Sequence, residues 1–163
     1  MTTKIGSGAT PRGGGESYKS EGISLIRSLN VHDLSFKYAK LAFLDDLQAE
    51  DLSNVEIQAR DVLLNITGAS IARCYVVPDD VLPARVNQHV SIIRPRMGVL
   101  SPTFLHYLLI SKPYKDKLLK TGEEGGSTRQ AITKAQIQDF TIAYPVAIDE
   151  QEEIVSGDRK SVV

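Results

Sequence analysis

The apolar residues in the first hundred positions fall in short runs separated by glycine, proline and polar turns. Runs at 23–27, 61–67 and 74–77 have the length and composition of buried strands, because strands are short apolar segments bounded by turn residues. Apolar and polar residues alternate over 86–93, which predicts one further strand. In that strand Gln88 would share a face with the valines two positions away on either side.

The later part of the chain has the spacing of helices. Ser101 followed by Pro102 predicts a helix start, since serine is a common N-cap and proline fits the first helical turn. Pro113 predicts the end of that helix, and a basic stretch follows it as far as Lys120. The helix has an apolar stripe formed by Phe104, Leu105, Leu108 and Leu109.

Shorter elements are predicted at four other places. Residues 45–52 are predicted to form one or two helical turns, because good helix formers follow Asp46, which is a fair N-cap. Thr133, with a glutamine three residues later, has the spacing of a capping box and predicts a short helix. Residues 149–157 begin with a second capping box and end at a glycine, which would stop that helix early. Between these two helices, 140–144 has the composition of a strand.

Strands come first and helices follow, and this segregation predicts an α+β fold that is β-rich at its start. The 163 residues are enough for one domain with a core and too few for two full domains. We therefore expect 1–148 to form a single domain, and 149–163 to hold the start of a further helix and a truncated tail.

The composition excludes several classes of protein. Hydrophobic residues make up 42% and charged residues 24%, as in globular proteins. No apolar run reaches the roughly 20 residues of a membrane helix. The first residues lack an apolar signal core, so we expect a cytoplasmic protein. One cysteine, Cys74, and three scattered histidines predict neither a disulfide nor a metal site.

Motifs for cofactor chemistry are incomplete in this sequence. The glycine-rich loop at 6–15 lacks the third glycine spacing of a dinucleotide fingerprint, and no glycine is followed by the lysine of a phosphate loop. That loop either covers an edge of the core or lets its backbone approach a ligand. Ser70, His89 and Asp79 would form a hydrolytic triad only if the fold brought them together. We expect no cofactor and no catalysis by this chain alone.

Three groups of residues carry a family signal in their order and spacing. They are 8–11, Tyr18, 22–23 and 26–30; then 61–71, 73–78, 86–90 and 93–95; then 126–137, Phe140, 150–151 and 154–155. Together they resemble the target recognition domain of a type I restriction–modification specificity subunit. The resemblance covers about residues 5–155.

The resemblance implies an α+β domain that reads one half of a split target on double-stranded DNA. It also implies partners: methyltransferase subunits, which bind S-adenosylmethionine and are held by long helices, and a restriction subunit. A complete specificity subunit carries two such domains. No long amphipathic repeat follows residue 155, so we expect a half-subunit, the product of a frameshifted gene or a trimmed piece.

Two turns carry the side chains that suit a phosphate. The first offers Thr10 and Arg12 beside a glycine backbone, and the second offers Thr67, Ser70 and Arg73 between two strands. Hydroxyls, arginine and free backbone N–H groups are the usual phosphate ligands. The alternative is that both turns satisfy their own backbone groups.

A stretch at 87–89 and two lysines give further candidates. Asn87 and Gln88 either form a buried structural network or lie on a strand that faces DNA. His89 suits a hydrogen-bonded structural histidine. Lys37 and Lys40 lie in 36–59, a stretch without family signal where base specificity would be encoded.

The glycine-flanked loop before the Thr133 helix gives a last set of candidates, which are Arg129, Gln130, Thr133 and Lys134. Helix N-termini attract phosphate, and an arginine there can also reach a guanine. Alternatively Thr133 only caps the helix, and Arg129 pairs with Glu123 or Glu124. The lysines of 112–120 suit a solvated face.

Other functions stay open at this point. One is a recognition domain detached from a fused methyltransferase–endonuclease. Another is a protein-interaction or regulatory module that works through 104–120, and a third is a hydrolase. DNA binding by the isolated chain distinguishes the first from the other two.

The absent glycine motifs give a first testable prediction. We expect the purified chain to bind neither S-adenosylmethionine nor ATP, because no loop with the spacing for either is present. Isothermal titration calorimetry measures this directly. Saturation by either compound at a stoichiometric ratio would contradict the interpretation.

Overall fold

The computed structural model of the chain describes residues 1–124 and 130–161, and of 158–161 it describes the backbone. The strands are β1 (Thr2–Ser7), β2 (Ile23–Ile26), β3 (Ala42–Leu44), β4 (Val62–Asn65), β5 (Cys74–Val76), β6 (Ala84–Val86) and β7 (Val90–Pro95). The helices are α1 (Asp46–Asp51), α2 (Pro102–Ile110), α3 (Lys112–Glu123), α4 (Lys134–Asp139) and α5 (Ile148–Ser161). In the described part of the chain, no helix is both long and apolar enough to cross a bilayer.

The strands form two sheets. In the larger sheet the order is β1-β7-β4-β5, and each neighbouring pair is antiparallel. In the smaller sheet the order is β3-β2-β6, with β2 antiparallel to β3 and parallel to β6. The predicted strands at 23–27, 61–67 and 74–77 are confirmed as β2, β4 and β5.

The larger sheet is the middle layer of the domain. Leu63 of β4 packs in a core shared with the smaller sheet, whereas Val62 and Leu64 pack in a second core with α2 and α3. In β7, Ile92 and Ile93 divide between the same two cores. Successive side chains of a strand point to opposite faces, so both faces of this sheet are buried.

The caps predicted for α2 and α4 are present. The Ser101 hydroxyl accepts from the backbone N–H of Phe104, and Thr133 and Gln136 form the reciprocal capping box. Phe104 and two leucines of α2 lie in the second core. Proline does not interrupt one long helix here, because α2 ends at Ile110 and Pro113 lies in the first turn of α3.

Helix α5 is fixed to the domain by a buried glutamine. The Gln151 Oε1 accepts from the backbone N–H of Ser101 at 2.8 Å. Its Nε2 donates to the carbonyl oxygens of Val99 at 3.0 Å and Pro145 at 2.8 Å. The Gln151 side chain therefore joins the segment 99–101 to the backbone at Pro145. The predicted stop at Gly157 is wrong because α5 continues to Ser161.

A buried ion pair joins the start of β4 to β7. Asp61 is fully buried, and both of its oxygens accept from Arg94, at 2.8 Å from Nε and 2.8 Å from Nη2. The backbone N–H of Gln58 also donates to this carboxylate at 2.8 Å. Hydrogen bonding by Asp61 raises the pKa of Arg94.

The single strand predicted over 86–93 is wrong. The chain leaves the smaller sheet at Val86, turns at 87–89 and enters the larger sheet at Val90. Gln88 lies in that turn and is exposed, whereas Asn87 is buried. The alternation of the sequence is real, but it spans two strands that belong to different sheets.

Two other local predictions also differ from the structure. Residues 140–144 form no strand. They pack on α3 instead, where the Tyr114 hydroxyl accepts from the backbone N–H of Ala143 at 2.9 Å. The N-cap of α1 is Asp45, one residue before the predicted Asp46. The sequence pattern also did not predict β1 or β3.

The ion pair of Asp61 and Arg94 gives a prediction about stability. We expect Arg94→Ala to lower the free energy of unfolding by about 3 kcal/mol, because it leaves a carboxylate buried without its charged partner. Urea denaturation measures this loss. Lys112→Ala removes an exposed 2.8 Å pair with Asp116 and should leave the midpoint unchanged. Equal losses in the two variants would contradict the role of burial.

Candidate nucleic-acid interface

Three turns of the chain meet around one groove of about 480 Å³. The first turn follows β2, the second joins β4 to β5, and the third joins β6 to β7. The groove is lined by Ser28, Leu29, Thr67, Gly68, Ala69, Ser70, Arg73 and His89. We call it the three-turn groove.

The second turn is built on Asn65, the last residue of β4. Its backbone N–H donates to the carbonyl of Arg73 at 2.8 Å, and its carbonyl accepts from Ala72 at 2.8 Å. Gly68 and Ala72 have positive φ angles of 78° and 72°, which close the turn tightly. Thr67 and Ser70 are held half-buried on the same turn.

The Asn65 side chain also joins this turn to the first one. Asn65 is fully buried, and its Nδ2 donates to the carbonyl of Ser28 at 3.0 Å and to the hydroxyl of Ser70 at 3.2 Å. The Ser70 hydroxyl accepts in this bond, so its own proton can be donated to another acceptor. Arg73 lies at the end of the turn, with its Nη1 3.4 Å from the His32 Nδ1.

A second buried asparagine holds the first turn. The Asn30 Oδ1 accepts from the backbone N–H of Arg27 at 3.0 Å, and its Nδ2 donates to the carbonyl of Lys37 at 2.8 Å. The Arg27 guanidinium lies over the Tyr18 ring at 5.2 Å and donates to the carbonyl of Lys40. The backbones of Lys37 and Lys40 are thus tied to this turn, and both lysines are exposed.

A third asparagine holds the turn between β6 and β7. The Asn87 Oδ1 accepts from the backbone N–H of His89 at 3.0 Å, and the Asn87 carbonyl accepts from Gly8 at 3.0 Å. The Thr10 hydroxyl donates to the Gln88 Oε1 at 2.8 Å. Loop 8–12, which carries the exposed Arg12, is therefore attached to this turn.

The second and third turns are also bonded to each other. The His89 carbonyl accepts from the backbone N–H of Ile66 at 3.0 Å, and the His89 Nδ1 shares a hydrogen bond with the Thr67 hydroxyl. The predicted structural role of His89 agrees with this pairing. Thr67, Ser70 and Arg73 line one groove, and Thr10 and Gln88 lie on the loop and turn beside it.

The candidate DNA-binding residues near α4 have different positions: one lies near the groove, and another caps the helix. Ala131 pairs with Thr67 in an isolated β-bridge, which brings the exposed Gln130 to the side of the groove. The Thr133 hydroxyl accepts from the backbone N–H of Gln136 at 3.1 Å and acts as a cap. Lys134 is exposed in the first turn of α4. Arg129 lies outside the described residues.

The helical segment 104–120 packs one side against the second core. Its apolar residues Phe104, Leu105, Leu109 and Leu118 are buried in the second core. Lys112 and Lys117 are exposed, as expected of a solvated face. Lys115 is not, because it is half-buried and pairs with Asp33 at 2.9 Å.

The groove does not have the arrangement of a hydrolytic site. Ser70 and His89 both line it, but His89 pairs with Thr67, Ser70 pairs with Asn65, and the lining residues include no carboxylate. The described residues include no cluster of three or more His, Cys, Asp or Glu that could hold a metal ion. Burial raises the pKa of Cys74 to about 12, which fits a core residue rather than a nucleophile.

The sequence did not identify Asn30 and Asn65 as residues that build this groove, nor Ser28 and Leu29 as part of it. For Asn87, a buried structural network was one of the two alternatives, and the structure has it buried and bonded to His89. Asn65 lies in an otherwise apolar run, and this position could have identified it as a structural residue. A polar residue in a buried strand must bond to something nearby.

Residues 4–157 match the family model described as the type I restriction modification DNA specificity domain. No curated protein is significantly similar in sequence to the chain. Several solved structures share its fold.

One such structure comes from work on complex assembly and conformational transition of a type I R-M system, with 21% identity and a TM-score of 0.67 over 97% of this chain. The HsdS subunit from Thermoanaerobacter tengcongensis has 21% identity and a TM-score of 0.62 over 95% of this chain. The S subunit of a type I system from M. genitalium has 13% identity and a TM-score of 0.62 over 94%. The α+β fold predicted from the sequence is confirmed.

The length of the matched structures is much greater than that of this chain. The chain covers 35%, 33% and 35% of them, respectively. It therefore spans about a third of each.

The close approach of Gly8 to the third turn gives a second stability prediction. A Cβ at this position would lie 1.9 Å from the carbonyl oxygen of Val86, so the backbone must shift to admit it. We expect Gly8→Ala to lower the free energy of unfolding by about 2 kcal/mol. Gly6→Ala is the control, because its Cβ would meet only the Lys4 side chain at 3.6 Å. Similar melting temperatures for the two variants would contradict the prediction.

Proposed function

The chain belongs to the family of type I restriction–modification DNA specificity domains, and we propose that it reads one half of a bipartite target on double-stranded DNA. The family match confirms the resemblance that the sequence motifs predicted. The role is recognition and not catalysis. Methylation and cleavage would be carried out by the methyltransferase and restriction subunits that this domain directs to the target.

One observation carries the proposal, and it is the joining of three turns around a groove rich in hydrogen-bond donors. Thr67, Ser70 and Arg73 line this groove, and Thr10 and Gln88 stand beside it. Hydroxyls and arginine are typical ligands of phosphate, and carboxamides and arginine read base edges. The groove lining includes no carboxylate that would repel the DNA backbone.

The turns are held in place before any ligand binds. Asn30, Asn65 and Asn87 are buried. The side chains of Asn30 and Asn87 bond to the backbone of their own turns, and that of Asn65 bonds to the backbone of the first turn. A surface fixed in this way loses little conformational entropy on binding, which favours affinity. Within the proposal, Asn87 and Thr133 position backbone, whereas the exposed side chains of Arg12, Lys37, Lys40, Gln130 and Lys134 contact DNA. Arg129 is proposed as a DNA contact from the sequence alone.

The wider assembly is part of the same proposal. Helix α5 packs on the domain through Gln151 and Val155, and we propose that its exposed residues lie against the methyltransferase subunits. A domain that reads DNA with these subunits would act in the cytoplasm.

The proposal predicts weak DNA binding that depends strongly on salt. A single half-target surface neutralises about four to six phosphates, so log K should fall with log salt at a slope of about −4 to −5. We expect micromolar affinity for duplex DNA at moderate salt. Fluorescence anisotropy across a salt series measures both quantities. Affinity that does not change with salt would contradict the proposal.

A pair of charge variants locates the contact. Arg12 is exposed two residues from Thr10, so Arg12→Gln should weaken binding to all sequences and reduce the slope by about one. Lys112→Gln removes the same charge from α3, where Lys112 already pairs with Asp116 at 2.8 Å. This control should bind like the unmodified chain. Equal effects of the two variants would show that only net charge matters.

A further inference from the structure

The three-turn groove contains one large apolar side chain, that of Leu29. The side chain is 39% exposed, and its neighbours in the lining are mostly hydroxyl, guanidinium and imidazole groups. Ala69 is the other apolar residue that lines the groove, on the facing turn. Leu29 therefore presents hydrocarbon to solvent in the middle of a polar surface.

The backbone around Leu29 prevents it from joining the core. Ile26 and Val31 on either side are fully buried, as is Asn30. Residues Ser28–Asn30 form a single 3₁₀ turn, closed by the Asn30 side chain and by a bond from the Val31 N–H to the Ser28 carbonyl at 3.2 Å. Asn65 fixes the same carbonyl from below at 3.0 Å. The leucine is thus held outward on a rigid turn.

The chemistry of DNA offers one partner for such a group. In the major groove, the C5-methyl of thymine is the apolar group on the base edges, and all other recognition atoms there are hydrogen-bond donors or acceptors. The thymine O4 and the adenine N7 of the same base pair are acceptors, and they suit the hydroxyl and guanidinium donors beside Leu29.

We propose that Leu29 recognises the methyl group of a thymine in the target half-site, with Ala69 completing the apolar contact. This inference rests on the proposed function and makes it more specific. Leu29 is then a specificity-determining residue, and the domain prefers thymine at one defined position.

The test removes the methyl group and nothing else. A preferred duplex is selected from a random pool with the purified chain, and each thymine in it is replaced in turn by deoxyuridine. Affinities are measured for the unmodified chain and for Leu29→Ala. At one position, the unmodified chain should lose about three- to fivefold in affinity, the factor expected for burial of one methyl group. Leu29→Ala should bind the thymine and uracil duplexes equally.

Two variants control for general effects. Leu47→Ala truncates a leucine on α1 that is 75% exposed and does not line the groove, so it should keep the full uracil penalty. Leu29→Val retains an apolar side chain and should show a reduced penalty at the same position. Melting temperatures of all variants should stay close to that of the unmodified chain, because both leucines are exposed.

The outcomes separate this inference from the proposed function. Absence of sequence-selective DNA binding by the unmodified chain would overturn both. A selected sequence without thymine, or a uracil penalty that is the same in Leu29→Ala as in the unmodified chain, would overturn the role of Leu29 and leave DNA recognition intact.

Discussion

The burial of β4 on both faces is the constraint on which the rest of the structure depends. Its side chains alternate between two cores, and polar groups at its two ends, Asp61 and Asn65, are buried and bonded. A slip of one residue would exchange the two faces and remove both polar groups from their partners. The register of β4 is therefore fixed strongly, and so is the place where the turn of 67–73 leaves the sheet.

Buried asparagines fix the turns of the groove relative to the sheets. An asparagine side chain offers both a donor and an acceptor, so it can bond to backbone groups of either kind. Asn30 accepts from Arg27 and donates to Lys37, which closes the first turn. Asn65 donates to the Ser28 carbonyl and so links the second turn to the first, and Asn87 accepts from His89 within the third turn. Burial of these amides would be costly without such bonds. The groove is accordingly part of the hydrogen-bonded interior rather than a set of loose loops.

Local patterns predicted those elements whose causes are local. Helices α2 and α4 were predictable because their caps are encoded within four residues, and β4 because its apolar run is continuous. The alternation over 86–93 predicted one strand where there are two, because a change of sheet at 87–89 does not alter the apolar–polar period. Gly157 did not end α5, since a glycine in a helix costs only about 1 kcal/mol relative to alanine, which tertiary contacts can exceed. The motifs indicated the turns of the candidate interface, but not the bond from Asn65 to Ser28, because these two residues are 37 positions apart in sequence.

The anchoring of α5 has a mechanical consequence. The helix has 14 residues, and the ten that follow Gln151 extend about 15 Å from that side chain. A tilt of about 10° at the anchor would displace the far end by about 3 Å, as estimated from the same helix rise. Gln151 holds the backbone at Val99, Ser101 and Pro145 together, and Val155 packs in the second core one turn later. These two buried side chains therefore set the angular accuracy with which the domain can be aligned to anything bound along this helix.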